Sequence, residues 1–126
     1  MISDQTTTIT ELKERVDKFI QEREWKQYHI PKNLAISITL EASELLETFQ
    51  WSKDDEIEEL IKNPEKLKEI ESELADVLIY CISLANTLGT NLSKVILKKI
   101  DENKKKYPIE KVKGKYKKYT ELENST

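Results

Sequence analysis

This chain of 126 residues contains only two glycines and three prolines. A many-stranded sheet needs frequent tight turns, and turns depend largely on these two residue types. We therefore expect an all-α fold in which long helices are joined by short connections. The length predicts one domain, with a helical core over residues 9–108 and a tail over residues 109–126.

Hydrophobic periodicity and capping residues divide the core into four main helices and one short acidic helix. Thr8 and Glu11 have the spacing of a capping box at the start of the first helix. Pro31 suits the first turn of the second helix, and Gly89 suits the end of the longest helix. The predicted helices cover residues 9 to about 25, 31 to about 50, 54–62, 64–89 and 91–108. Beyond residue 108 the chain lacks periodicity and is rich in lysine, which predicts an extended basic tail.

The balance of apolar and charged residues favours an oligomer. The apolar fraction is 37% and the charged fraction is 36%, which is polar for a domain that must bury a core alone. Apolar residues cover most of the circumference of the second helix, which predicts burial on several sides. We expect an antiparallel helical bundle that is completed by oligomerisation.

Two acidic pairs with the same internal spacing interrupt the apolar stretches: Glu41 with Glu44, and Glu73 with Asp76. Residues three apart on a helix project from one face, so each pair presents two carboxylates side by side. Such a pair on a surface helix is usually a solvated face. Here the pairs lie among apolar neighbours, and buried charges are normally paired or bound to a metal. Four carboxylates from two facing helices therefore predict a site for a hard divalent cation such as Mg²⁺.

Other polar and aromatic residues allow two interpretations each. Asn103 lies on the apolar stripe of the last helix, where it either satisfies a neighbouring helix or contacts a ligand. Tyr80 follows the second acidic pair by four residues, so it either packs in the core or places an aromatic face beside the metal. Trp25 and Trp51 lie near helix ends, where they either stack on a base or close the ends of the bundle. His29 as a general base is the weaker interpretation of a lone histidine.

Charge is distributed unevenly along the chain. Residues 41–76 include thirteen acidic and four basic residues, whereas residues 98–118 include ten lysines and three acidic residues. The acidic half would repel a phosphodiester backbone, so we expect no stable binding of nucleic acid. A small triphosphate with bound Mg²⁺ is compatible with both halves, because the acidic residues would bind the ion and the lysines would neutralise the phosphates.

No segment has the pattern of a targeting or membrane element. Residues 1–10 are polar and rich in threonine, unlike a signal peptide. No apolar run approaches the length that spans a bilayer. The single cysteine, Cys81, excludes an intramolecular disulfide. We expect a cytoplasmic protein without membrane association.

Taken together, these motifs resemble the all-α nucleotide pyrophosphohydrolases of the MazG-like superfamily, and within it the dCTP pyrophosphatase branch. The segment from Glu24 to Leu34 resembles the Trp-x-Gln-Phe-His-x-Pro-Arg-Asn segment of that branch. Residues 41–51 resemble its metal helix, and residues 73–80 resemble the second half of its metal motif. Residues 101–108 and 118–122 resemble its closing segments.

The resemblance implies hydrolysis of a nucleoside triphosphate, with dCTP or a modified dCTP as the leading candidate, to the monophosphate and pyrophosphate. It implies Mg²⁺ as the cofactor, with Mn²⁺ as a substitute, and an assembly of homo-dimers or homo-tetramers. The metal ligands would be Glu41, Glu44, Glu73 and Asp76. Glu41 or Glu44 would act as the catalytic base. The substrate-binding residues would be Trp25, Lys32, Trp51, Tyr80, Asn103, Lys104 and Lys118.

Two positions depart from the branch: Val16 aligns with a histidine of its animal members, and Lys32 aligns with an arginine. Two other classes of protein are the alternatives to this branch. A di-metal bundle of the ferritin type needs Glu-x-x-His motifs on two helices, and the single histidine, His29, lies outside both acidic motifs. A non-enzymatic helical scaffold or antitoxin-like module stays as the alternative, and it predicts no stabilisation by metal.

Overall fold

The computed structural model describes residues 1–114, and within that range the chain forms helices and no strands. The α-helices are α1 (Ile9–Glu22), α2 (Pro31–Glu47), α3 (Ile57–Lys62), α4 (Pro64–Leu88), α5 (Leu92–Lys106) and α6 (Ile109–Val112). Short 3₁₀ turns cover Lys26–Tyr28 and Asp54–Glu56. This architecture confirms the predicted all-α fold class. None of the described helices is both long and apolar enough to cross a membrane.

The chain divides into two compact units, Met1–Thr90 and Asn91–Thr126. The first unit contains α1 to α4, and the second contains α5 and α6. The boundaries of a single domain predicted from the sequence stay a prediction.

Local chemistry explains where the helices begin and end. The Thr8 hydroxyl accepts a hydrogen bond from the Glu11 N–H at 3.1 Å, as the capping-box spacing predicted. The Asn63 side chain accepts two N–H groups from the first turn of α4 at 3.0 and 3.3 Å. Gly89 ends α4 with φ of 68°, a left-handed conformation that glycine adopts without steric strain because it has no Cβ.

Helix α2 ends at Glu47, about three residues before the predicted end. The Thr48 hydroxyl donates to the Leu45 carbonyl at 2.6 Å, and the Thr48 N–H also bonds to that carbonyl at 3.2 Å. A threonine that bonds to the preceding turn competes with the helical hydrogen-bond pattern. The residues that follow form a turn, and this turn carries Trp51.

The first unit is built around the packing of α2 on α4, with α1 and α3 also packed against α4. Its buried apolar side chains are Ile20, Leu34 and Ala85. Two hydrogen bonds hold α1 to the end of α4, because Lys13 Nζ donates to the Thr90 carbonyl and Asn86 Nδ2 donates to the Lys13 carbonyl.

The predicted burial of α2 on several sides is not present in the single chain. Three of its apolar side chains are 49%, 59% and 61% exposed, namely Ile36, Leu40 and Leu46. One face of α2 packs on α4, and about half or more of each of these side chains stays exposed in the single chain.

Part of the predicted tail is helical. Pro108, with φ of −63°, precedes the single turn α6, and the Lys113 N–H bonds to the Ile109 carbonyl at 3.0 Å. The prediction of an extended chain from residue 109 is therefore wrong for residues 109–112, because proline supplies a φ that a helix can follow. The remainder of the predicted tail, including Lys118, lies outside the described residues.

Candidate active site

Three carboxylates from two helices converge in the first unit. Glu41 lies on α2, and Glu73 and Asp76 lie on α4, one turn apart. The packing of α2 on α4 brings one carboxylate oxygen of each within 4.8 Å of the others. All three residues are half-buried. The structure thus brings together three of the four predicted ligand residues in one cluster.

Glu44, the fourth predicted ligand, lies at the edge of this cluster. It is exposed, one turn after Glu41 on α2. Its carboxylate charge raises the pKa of Glu41 and of Glu73, so it faces the same cluster as they do.

The electrostatics of the cluster oppose full ionisation. A hydrogen bond with Glu44 is the largest cause that raises the pKa of Glu41 from 4.5 to about 7, followed by desolvation and by the charges of Glu44, Asp76 and Glu73. Desolvation is the largest cause that raises the pKa of Glu73, followed by the charges of Glu44 and Asp76. Carboxylates held this close are destabilised as anions unless a positive charge joins them.

Two oxygens of the cluster have no partner in the described part of the chain. Oε2 of Glu41 and Oε2 of Glu73 are buried and accept no hydrogen bond there. No lysine or arginine within residues 1–114 forms an ion pair with Glu41, Glu44, Glu73 or Asp76. A buried anionic oxygen normally has a donor or a cation beside it. Oxygen donors at this spacing fit a hard divalent cation.

An open cleft of about 570 Å³ adjoins the carboxylate cluster. Its size lies in the range that small-molecule ligands occupy. Trp51, at its edge, is 87% exposed and offers a free aromatic face. The cleft is lined by Glu44, Glu47, Thr48, Gln50, Trp51, Glu69 and Glu73.

The other predicted contact residues of the first unit lie outside the lining of this cleft. Tyr80 is half-buried one turn after Asp76, and its ring centroid lies 6.3 Å from that of His29. Trp25 is 43% exposed and packs edge-on against Phe19, with ring centroids 5.7 Å apart. Lys32 is exposed in the first turn of α2.

The remaining predicted contact residues belong to the second unit. Asn103 and Lys104 are exposed on α5, and Lys104 Nζ lies 3.9 Å from a carboxylate oxygen of Asp101. The Asn103 carbonyl accepts the Tyr107 N–H at 2.8 Å, which closes the end of α5. Lys118 falls outside the described residues.

The sequence motifs did not predict two features of the first unit. Glu69 lines the cleft, and its charge contributes to the raised pKa of Glu73. Glu69 lies four residues before Glu73, so the two side chains project from the same face of the helix, and this spacing could have predicted that Glu69 lies beside Glu73. Ser83 forms a hydrogen bond with His29 across the fold, and local sequence contained no signal for that contact.

Comparison with known proteins identifies the class. A profile of the MazG-like family matches residues 36–122. Human dCTP pyrophosphatase 1 is 36% identical over 115 residues, which cover 91% of this chain and 68% of the human protein. The rat protein of the same name is 34% identical over 119 residues, which cover 94% and 70% of the two chains. The crystal structure of a pyrophosphatase from Archaeoglobus fulgidus has a TM-score of 0.75 and 38% identity, and the match covers 86% of this chain and 99% of that one.

With its carboxylate cluster between two packed helices, the chain belongs to the MazG-like family. Within that family it falls in the dCTP pyrophosphatase branch, and it is a nucleoside triphosphate diphosphatase. Both statements confirm the resemblance seen in the sequence motifs. Membership also removes the non-enzymatic scaffold as the class of this protein.

Proposed function

We propose that this enzyme hydrolyses dCTP, or a dCTP modified on the base, to the nucleoside monophosphate and pyrophosphate in the presence of Mg²⁺. Mn²⁺ is the expected substitute. The observation that carries the proposal is that Oε2 of Glu41 and Oε2 of Glu73 are buried and have no hydrogen-bond partner within residues 1–114. The preference for dCTP is supported by the branch to which the named relatives belong.

The proposed ligands are Glu41, Glu44, Glu73 and Asp76. Mg²⁺ bound by them would neutralise charge on the triphosphate and polarise the α-phosphoryl group. Without a cation, four carboxylates would repel the substrate. The raised pKa values of Glu41 and Glu73 support this assignment, because they report the same unfavourable concentration of negative charge.

We propose Glu44 as the acceptor of the proton from the attacking water. It is exposed and lines the cleft, so water and substrate can reach it. Glu41 is half-buried, and one of its oxygens is enclosed, which favours a role as a ligand. A carboxylate at the edge of the cluster can accept a proton while the inner ones hold the cation.

The base is proposed to stack on Trp51, whose face is open at the edge of the cleft. Tyr80, Trp25 and Lys32 complete the proposed nucleoside site in the first unit, by analogy with the branch. Asn103, Lys104 and Lys118 are proposed contacts of the sugar and phosphates on the same basis. The lysines would stabilise the pyrophosphate as it departs.

The protein is proposed to act as a homo-dimer or homo-tetramer. On α2, Ile36 and Leu40 are 49% and 59% exposed, and on α4, Leu74 and Leu78 are 45% and 51% exposed. Each pair is four residues apart, so each helix presents one apolar stripe. A second copy of the chain is the proposed cover for these stripes, because isologous contacts between apolar helices are common in obligate dimers.

Product analysis tests the proposed reaction. Purified protein is incubated with each of the canonical deoxynucleoside triphosphates and with 5-substituted dCTP, with Mg²⁺ or with a chelator. Products are separated by anion-exchange chromatography. We expect the monophosphate and pyrophosphate, fastest from a dCTP, and none with the chelator. Release of orthophosphate with a nucleoside diphosphate would contradict the proposed attack at the α-phosphorus.

A further inference from the structure

Ser83 is a buried polar side chain on α4, with 3% of its surface exposed. Its hydroxyl oxygen lies 3.3 Å from Nδ1 of His29, 54 residues earlier in the chain. A buried hydroxyl is costly without a partner, so this contact satisfies a group that the fold has enclosed.

His29 belongs to the connection between α1 and α2, residues 23–30. One end of this connection is held to α1 by the edge-on contact of Trp25 with Phe19. The other end is held to α2, where the Asn33 side chain donates to the Tyr28 carbonyl at 3.1 Å. Within residues 1–114, the bond between His29 and Ser83 is the hydrogen bond that ties this connection to α4.

The hydrogen bond between His29 and Ser83 joins two parts of the proposed nucleoside site. Ser83 lies three residues after Tyr80 on α4, and the His29 ring lies 6.3 Å from the Tyr80 ring. Trp25 and Lys32 flank His29 on either side along the chain. The bond therefore holds the connection between Trp25 and Lys32 against the helix that carries Tyr80.

We infer that Ser83 and His29 are positioning residues for nucleotide binding: their hydrogen bond fixes the connection between α1 and α2 against α4 and so sets the affinity for the nucleoside part of the substrate. This inference rests on the proposed function. The pair is separate from the carboxylate cluster on α2 and α4, so its loss affects nucleotide binding more than the chemical step or the affinity for the cation.

The test compares variants that keep or remove the bond. Ser83→Ala removes the hydroxyl. His29→Asn keeps an amide near the position of Nδ1, whereas His29→Gln places its amide near the position of Nε2. Thr87→Ala is the matched control, because it removes a hydroxyl from the next turn of α4 whose one hydrogen bond within residues 1–114 goes to the Ser83 carbonyl.

We expect Ser83→Ala and His29→Gln to raise KM about two- to tenfold, the range for one hydrogen bond, with kcat within about twofold of wild type. His29→Asn and Thr87→Ala should keep a KM close to wild type. The Mg²⁺ concentration for half-maximal rate should be unchanged in all four. Thermal melts of each variant verify that it is folded under the assay conditions.

Three results would overturn the inference. An unchanged KM in Ser83→Ala would show that the bond does not set nucleotide affinity. If His29→Gln keeps a KM close to wild type and His29→Asn does not, then Nε2 is the atom that matters and His29 contacts the nucleotide directly. A fall in kcat together with weaker Mg²⁺ dependence would show a general loss of structure.

The binding of a non-hydrolysable α,β-imido analogue of dCTP separates this inference from the proposed function. If wild type binds and hydrolyses the nucleotide while Ser83→Ala binds it equally well, the positioning role alone is wrong. If wild type neither binds nor hydrolyses any nucleoside triphosphate, the proposed function and this inference are both wrong.

Discussion

Glu41 and Glu44, one turn apart on α2, share a hydrogen bond that is the largest cause raising the pKa of Glu41 to about 7. Glu41 therefore keeps its proton at pH values where an isolated glutamate would be ionised. This relationship makes the cluster sensitive to pH and to cations in the same way, because a proton or a metal ion relieves the same repulsion.

The first prediction concerns stability against pH without metal. The pKa of Glu41 is 4.5 in an unfolded chain and about 7 in the fold, so its proton stabilises the folded state fully below about pH 4.5. This contribution is lost as the pH rises to about 7. In the presence of a chelator, we expect the Tm of wild type minus the Tm of Glu41→Gln to fall as the pH rises from 5 to 7.5. Added Mg²⁺ should restore it at the upper end. Equal pH profiles for the two proteins would contradict this.

The second prediction separates the ligands from other glutamates. Glu41→Gln and Asp76→Asn should nearly abolish hydrolysis, because each removes a proposed metal ligand. Each also relieves repulsion, so the Tm without metal should be equal to or above that of wild type. Glu71→Gln, an exposed glutamate of α4, is the control and should keep wild-type rates. Normal turnover by either ligand variant at ordinary Mg²⁺ concentrations would contradict the assignment.

The third prediction distinguishes the proposed base from the inner ligands. Glu44→Gln should lower kcat by about 10²- to 10⁴-fold, the usual contribution of general-base catalysis. Stabilisation of the protein by Mg²⁺ should persist in this variant, measured as the shift of Tm on adding the ion, whereas Glu73→Gln should lose most of that shift. If Glu44→Gln loses the shift to the same extent, Glu44 is a principal ligand.

The fourth prediction concerns base preference. Trp51→Ala should raise the KM for the preferred nucleotide by the equivalent of about 1–3 kcal/mol, the usual value of one aromatic stack on a base. The KM for poor substrates should change much less, so the substrate profile becomes flatter. Trp51→Phe keeps an aromatic face and serves as the control. An equal loss across all nucleotides would place Trp51 outside base recognition.

The fifth prediction concerns assembly. Sedimentation of the wild-type protein should give a multiple of the 14.8 kDa chain mass. Leu78→Lys places a charge on the exposed apolar stripe of α4 and should shift the protein towards the monomer. Glu58→Lys, on the exposed acidic helix α3, is the control and should leave the mass unchanged. A wild-type monomer would contradict the proposed assembly.

The sequence by itself determined where the main helices lie and how some of them are capped. Thr8 and Gly89 are at the caps predicted for them, because capping depends on a few neighbouring residues. The spacing within each acidic pair was likewise readable, since three residues on a helix always share a face. The predicted end of α2 was about three residues too late. The Thr48 hydroxyl bonds to the Leu45 carbonyl and competes with the helical hydrogen bonds, and hydrophobic periodicity does not detect such competition.

Only the tertiary structure decided how the residues of the site are arranged. The convergence of Glu41 with Glu73 and Asp76 within 4.8 Å, and the bond between His29 and Ser83, join residues about 30 to 54 positions apart. Such contacts depend on how helices pack, which no local pattern encodes. Packing also left Glu44 and Trp51 exposed at the cleft while it enclosed one oxygen of Glu41. The physical reason is that helix formation depends on near neighbours, whereas burial and pKa depend on every element packed nearby.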